Sequence, residues 1–167
     1  IGEFTTVRPI EVVADSKIAA LSLEKTTIEM SDKISQTVDV VVKDQYGNNF
    51  KPANETKMTA TIKSGSNIIG LDKNEVEFIG SSDKATFTIT PVEGKEGTAT
   101  IEFAVGEVKT TLTVNVVKAG VIDNYVVEGF KAELDKNVAA KDEEKQMVLK
   151  VFGTDANGVK TGTALTE

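Results

Sequence analysis

Gly97-Thr98-Ala99-Thr100-Ile101-Glu102-Phe103-Ala104-Val105-Gly106-Glu107-Val108-Lys109-Thr110-Thr111-Leu112-Thr113-Val114-Asn115-Val116-Val117 decides how the rest of the chain is read. Ala99, Ile101 and Phe103 alternate with Thr98, Thr100 and Glu102. Leu112, Val114 and Val116 alternate in the same way with Thr111, Thr113 and Asn115. A period of two sends one set of side chains to each face of a strand, so each run presents an apolar face and a polar one. The break at Val105-Gly106-Glu107 is short enough for a tight hairpin between them.

The same alternation recurs towards the N-terminus. Val38, Val40 and Val42 alternate with Thr37, Asp39 and Val41; Met58, Ala60 and Ile62 with Lys57, Thr59 and Thr61; Phe87 and Ile89 with Thr86, Thr88 and Thr90. Turn residues punctuate the runs at Tyr46-Gly47-Asn48-Asn49, Lys63-Ser64-Gly65-Ser66-Asn67, Gly80-Ser81-Ser82-Asp83 and Gly94-Lys95-Glu96-Gly97. In order, strands are expected at 21–24 with an extension at 28–30, and at 37–43, 57–63, 76–79, 84–90, 97–104 and 108–117. About seven short strands with turns between them predict an all-β chain folded as an immunoglobulin-like β-sandwich. With no Cys and no Trp, the antibody-type Cys…Trp…Cys core is excluded. The best helical candidate, 139–146, is polar all round and reads as a solvated loop.

An internal repeat organises the chain. Pro9-Ile10-Glu11-Val12-Val13 aligns with Thr113-Val114-Asn115-Val116-Val117 at an offset of 104 residues. Val38-Asp39-Val40-Val41-Val42-Lys43-Asp44-Gln45-Tyr46-Gly47 aligns with Leu149-Lys150-Val151-Phe152-Gly153-Thr154-Asp155-Ala156-Asn157-Gly158 at an offset of 111. The difference of seven falls in 134–146, where the second copy has a longer, charged connection. Residues 1–17 therefore read as the last strand of a preceding domain, 18–118 as one complete domain, and 119–167 as the opening strands of a following one. The opening Ile1-Gly2-Glu3-Phe4, without Met, reads as partly a cloning scar on a segment of something longer. Two or three strands cannot close a sandwich, so 121–167 is expected either to pair with the strand near 7–13 or to be loosely ordered.

Missing residue types exclude much chemistry. Among 167 residues there is no His and no Cys, so no Ser-His-Asp triad, thiol nucleophile, disulfide or ordinary zinc or copper site can form. Carboxylates are plentiful, yet no pair sits in a recognisable catalytic motif, and the expectation is that the chain is not an enzyme. Asp+Glu 26 against Lys+Arg 19 gives a net charge of −7, which argues against nucleic acid as a partner. Apolar runs such as Val40-Val41-Val42 are far too short to span a membrane, so no membrane insertion is expected.

The one cofactor class left open is an oxygen-ligated ion. Asp44 and Asn48 are calcium candidates, as are Asp155 and Asn157 in the equivalent segment of the repeat, and a linker carboxylate such as Asp15 or Asp123 could join them. The competing reading favours a turn: Asp starts it, Gly takes positive φ and Asn tolerates it. The acidic run Asp142-Glu143-Glu144 reads as a solvated connection, Ser31-Asp32-Lys33 as a turn, and Tyr46, Phe50 and Tyr125 as packing at junctions.

The stretch Thr37-Val38-Asp39-Val40-Val41-Val42-Lys43-Asp44-Gln45-Tyr46-Gly47-Asn48-Asn49-Phe50-Lys51-Pro52-Ala53 resembles the strand-turn segment in repeats of bacterial surface-layer (S-layer) proteins of the Bacillaceae type. The Leu21-Ser22-Leu23 strand and the 97–117 hairpin are similar to bacterial immunoglobulin-like domains generally. The resemblance implies a secreted, cell-surface structural segment that assembles with neighbouring copies of the same protein into a two-dimensional lattice, its domains packed against adjacent ones in the chain. A stalk of an adhesin, or an accessory domain of a secreted polysaccharide-degrading enzyme, is the alternative that the same residues allow.

Overall fold

The computed structural model describes residues 14–129 and 149–161. They contain eleven strands and, among the described residues, no helix. β1 (Ile18–Leu23), β3 (Gln36–Asp44), β7 (Lys84–Pro91) and β5 (Ile69–Leu71) form one sheet in the order β1-β3-β7-β5. β2 (Thr27–Ser31), β9 (Val108–Val117), β8 (Gly97–Val105), β4 (Lys57–Ser64) and β6 (Glu75–Glu77) form the second in the order β2-β9-β8-β4-β6. β10 (Asn124–Glu128) and β11 (Lys150–Thr154) make a separate two-stranded sheet.

The two large sheets bury the residues that alternation assigns to one face. Val40 and Val42 of β3, Phe87 and Ile89 of β7, Met58 and Ala60 of β4, Ala99, Ile101 and Phe103 of β8, and Leu112, Val114 and Val116 of β9 are all buried. Phe87 and Phe103 meet across the interface at a centroid distance of 5.2 Å and an interplanar angle of 44°, a tilted pairing that favours contact between a ring edge and a ring face. Burying one such ring contributes about 1.5–3 kcal/mol relative to leaving it in water. β8 and β9 pair in unbroken register from Gly97↔Val116 to Val105↔Val108, closing on the two-residue turn Gly106-Glu107 as the spacing predicts.

Nine strands, where alternation predicts about seven, build this sandwich. The extension at 28–30 is a strand of its own. After Leu23 the chain crosses from one sheet to the other, and β2 pairs parallel with β9 from Thr27↔Thr113 to Ser31↔Val117. β5 is a three-residue edge strand against β7, too short to show a period. The strand expected at 76–79 is confined to Glu75–Glu77, after which Phe78 turns into the core while Ile79 stays 76% exposed. These departures occur at sheet edges, where pairing depends on what lies across the sandwich and not on local pattern.

The connections define two poles. Asp32-Lys33-Ile34-Ser35 joins the end of β2 to the start of β3, so β2 and its partner β9 both finish where β3 begins. β1 starts opposite the far end of β3, with Ile18↔Asp44. The chain thus reaches the sandwich at one pole and leaves it at the other, with the nine residues of β3, about 30 Å of strand, between them.

The strand read near 7–13, the helical candidate 139–146 and the acidic run Asp142-Glu143-Glu144 lie outside the described residues. Within them, β10 and β11 pair with each other, from Asn124↔Thr154 to Glu128↔Lys150. That pairing repeats β1 with β3: Ala20↔Lys43 and Leu23↔Val40 correspond to Asn124↔Thr154 and Val127↔Val151 at the two offsets read from sequence.

Candidate functional site

Asp44 closes β3 and organises the turn that follows. Its Oδ1 accepts the amides of Tyr46 and Asn48, each at 2.9 Å. The backbone completes the turn, with the Asp44 amide donating to the Asn48 carbonyl at 2.9 Å and the Gly47 amide donating to the Asp44 carbonyl at 3.1 Å. Gly47 sits at φ +83°, a conformation that a Cβ would disfavour. Partial burial pushes the Asp44 carboxyl up, but the amide donors of Asn48 and Tyr46 and the Ser16 hydroxyl outweigh it and hold the group below its ordinary value.

The side chains of this turn reach back to the incoming segment. Asp44 Oδ2 accepts the Ser16 hydroxyl at 3.0 Å. Gln45 Oε1 accepts the Lys17 amide at 2.9 Å, and its Nε2 donates to the Asp15 carbonyl at 2.9 Å. The Tyr46 hydroxyl donates to the Ala14 carbonyl at 2.9 Å. Four consecutive residues, 14–17, are therefore clasped by three consecutive side chains.

The second turn repeats the skeleton of the first. Asp155 Oδ1 accepts the amides of Asn157 and Val159 at 2.9 and 3.0 Å. Its amide donates to the Val159 carbonyl, and Gly158, at φ +80°, donates to the Asp155 carbonyl. The flanking bonds match as well: Phe50 to Val42 corresponds to Thr161 to Gly153. The reaching arms do not, because Ala156 and Asn157 stand where Gln45 and Tyr46 stand in the first copy.

The four calcium candidates lie in these two turns, Asp44 with Asn48 and Asp155 with Asn157. Both carboxylate oxygens of Asp44 and Oδ1 of Asp155 accept N–H or O–H donors, as a turn role uses them. Among the described residues no three Asp or Glu side chains converge. Asp15 joins the first turn through its carbonyl, and Asp123 donates its amide to the Thr154 carbonyl. Of the aromatics, Tyr46 spans a junction as expected, Phe50 packs against the sandwich core, and Tyr125 is 58% exposed on β10.

Asp32 does more than the turn expected of it. Only 5% exposed, it accepts the Ala119 amide on Oδ1 at 2.8 Å and the Gly94 amide on Oδ2 at 3.2 Å, while its own amide donates to the Val117 carbonyl at 2.9 Å. It holds the chain as it leaves the sandwich. Sequence offers no signal for this, since Ala119 is 87 residues away.

No protein-family model matches the chain. It is 28% identical over 156 residues to an S-layer protein of Bacillus thuringiensis subsp. finitimus, covering 90% of this chain and 18% of that relative. Among solved structures, surface layer protein SbsC, domains 4–9, matches at TM-score 0.68 and 26% identity over 92% of this chain and 22% of that one. The two-domain piece of the S-layer protein SbsC, domains 5–6, matches at TM-score 0.66 and 26% identity over 89% of this chain and 68% of its own length. Sequence and fold agree with the resemblance read at the strand-turn segment: this chain is similar to surface-layer proteins of the Bacillus type, and it spans about a fifth of the length of the surface-layer relative it matches.

Proposed function

We propose that the chain is a non-catalytic, structural segment of a secreted surface-layer protein, a run of tandem β-sandwich units that spaces and orients lattice contacts. Residues 18–118 would be one complete unit, 119–167 the opening strands of the next, and 1–17 the end of the one before. The observation that carries this reading is the repeated turn, matched bond for bond at 44–50 and 155–161, each copy fed by a short linker. Similarity to an S-layer protein and to a solved two-domain S-layer piece supports it. Many small lateral contacts between copies would add through multivalency, so each could be individually weak.

Electron microscopy of the full-length protein, with calcium and with a chelator, tests the proposal. Periodic sheets are expected. Loss of the sheets in chelator would bring calcium into the assembly; isolated rods in both conditions would overturn the lattice reading in favour of an adhesin stalk or an accessory domain of a secreted enzyme.

A further inference from the structure

We propose that residues 118–120 form a stiff joint between consecutive units, gripped from the sandwich side by Asp32 and from the β10–β11 side by Asp155. The two grips fall on adjacent residues. Ala119 gives its amide to the buried Asp32 carboxylate, which also holds Gly94 and so ties the linker to the loop before β8. Gly120 lies directly against Asp155: a Cβ built on it would stand 2.8 Å from Asp155 Cβ and 2.9 Å from Oδ2. Gly120 is therefore required by space, because any side chain would push the linker off the turn.

Among the described residues, a groove lies beside this joint. Between the sandwich and the β10–β11 sheet runs an open groove, lined by charged side chains including Glu24, Lys25, Asp39, Lys150 and Lys160. A mixed-charge groove of this kind contributes little to holding two bodies together, since exposed ion pairs are weak. A short linker hydrogen-bonded at Ala119 and packed closely against Asp155 at Gly120 does limit them, because few backbone torsions are left free there. Such a joint rests on the tandem-unit reading and gives a lattice a means of setting a fixed angle from one unit to the next.

The absence of Cys makes the test direct. Spin labels at Thr61→Cys and Tyr125→Cys, both exposed positions, would report the distance between the two bodies in the full chain. The parent protein should give one narrow distribution. Asp32→Ala should widen it about twofold towards the spread of a free linker. Gly120→Ala, which leaves the sandwich core untouched, should shift its mean or widen it, and Gln45→Ala, at the opposite pole, should leave it unchanged. A parent distribution already as broad as a free linker would overturn the joint, as would Gly120→Ala and Asp32→Ala traces matching the parent, or equal broadening by Gln45→Ala. Ordered sheets in microscopy together with a broad parent distribution would discard the joint and keep the lattice.

Discussion

The turns at 44–49 and 155–160 share a backbone and differ in what their side chains do. In both, an aspartate carboxylate collects two amides and a glycine closes the loop at positive φ. Only the first sends Gln45 and Tyr46 across to the incoming linker; the second meets its linker by the close approach of Gly120 to Asp155. Ser16 and Gly120 correspond at the offset of 104, so a hydroxyl donor at one junction is replaced by bare backbone at the other. Aspartate and glycine thus belong to the fold, while the residues between them belong to the junction. The same division separates the strands. Leu21, Val40 and Val42 are buried under a second sheet, whereas on β10 Tyr125 is left 58% and Val127 39% exposed.

The largest effect should separate the complete sandwich from the two-stranded sheet. Phe87→Ala removes a fully buried ring and is expected to cost about 3–5 kcal/mol, read as a fall in the denaturant midpoint with β10–β11 amide exchange unaltered. Equal acceleration of exchange in both would show that the two regions unfold as one. Next comes Asp32→Ala, which removes the buried carboxylate that accepts the Gly94 and Ala119 amides; hydrogen bonds to a charged group contribute about 1.5–3 kcal/mol. Calorimetry of Asp32→Asn, which keeps one acceptor oxygen, should fall between the parent and the alanine variant.

A pH series sharpens the account of the first turn. The Asp44 carboxyl lies below its ordinary value in the fold, because the amide and hydroxyl donors outweigh partial burial. Asp39 is held low too: burial pushes it up, but the Lys84 and Thr86 hydrogen bonds and the Lys84 charge prevail. A depressed folded value means stability that is complete above the ordinary carboxylate range and is lost as pH falls through the folded value. Melting temperature should therefore hold steady down to about pH 4 and drop below it, with a shallower drop in Asp44→Asn. The smallest effect is expected from Gln45→Ala. It should leave the global midpoint nearly unchanged while the Lys17 amide exchanges about tenfold faster, since only a local opening is made easier. Unchanged exchange there would mean that the clasp does not hold the linker in solution.

How much of this is legible in sequence depends on distance along the chain. Alternation in β3, β4, β7, β8 and β9 is a local property, and the buried set Val40, Val42, Met58, Phe87, Ile101, Phe103 and Val114 follows from it directly. The repeat is legible because both copies preserve Asp, Gly and the apolar strand before them. The crossing between β1 and β2 is not, because Ile28 and Met30 carry the same alternation whichever sheet accepts them, and only β9 decides. β5 is too short for a period, and its pairing partner β7 supplies the reason for its existence. At the turns, the residues that make a calcium loop and those that make an Asx turn are the same residues; what distinguishes them is the direction in which the carboxylate lone pairs are used. Asp32 is legible as a turn residue but not as a linker anchor, since its partners arrive from 62 and 87 residues away.

The parallel alignment of β2 with β9 has a consequence under tension. The chain reaches the sandwich at one pole and departs at the other, and β2 and β9 run side by side along that axis through five paired rungs, from Thr27↔Thr113 to Ser31↔Val117. A pull on the two ends drags these strands past each other lengthwise, so their rungs are loaded in shear and must give way together. Antiparallel strands peeled from a common end would instead open rung by rung, like a zip. A unit threaded in this way resists being stretched far better than its modest hydrogen-bond count would suggest.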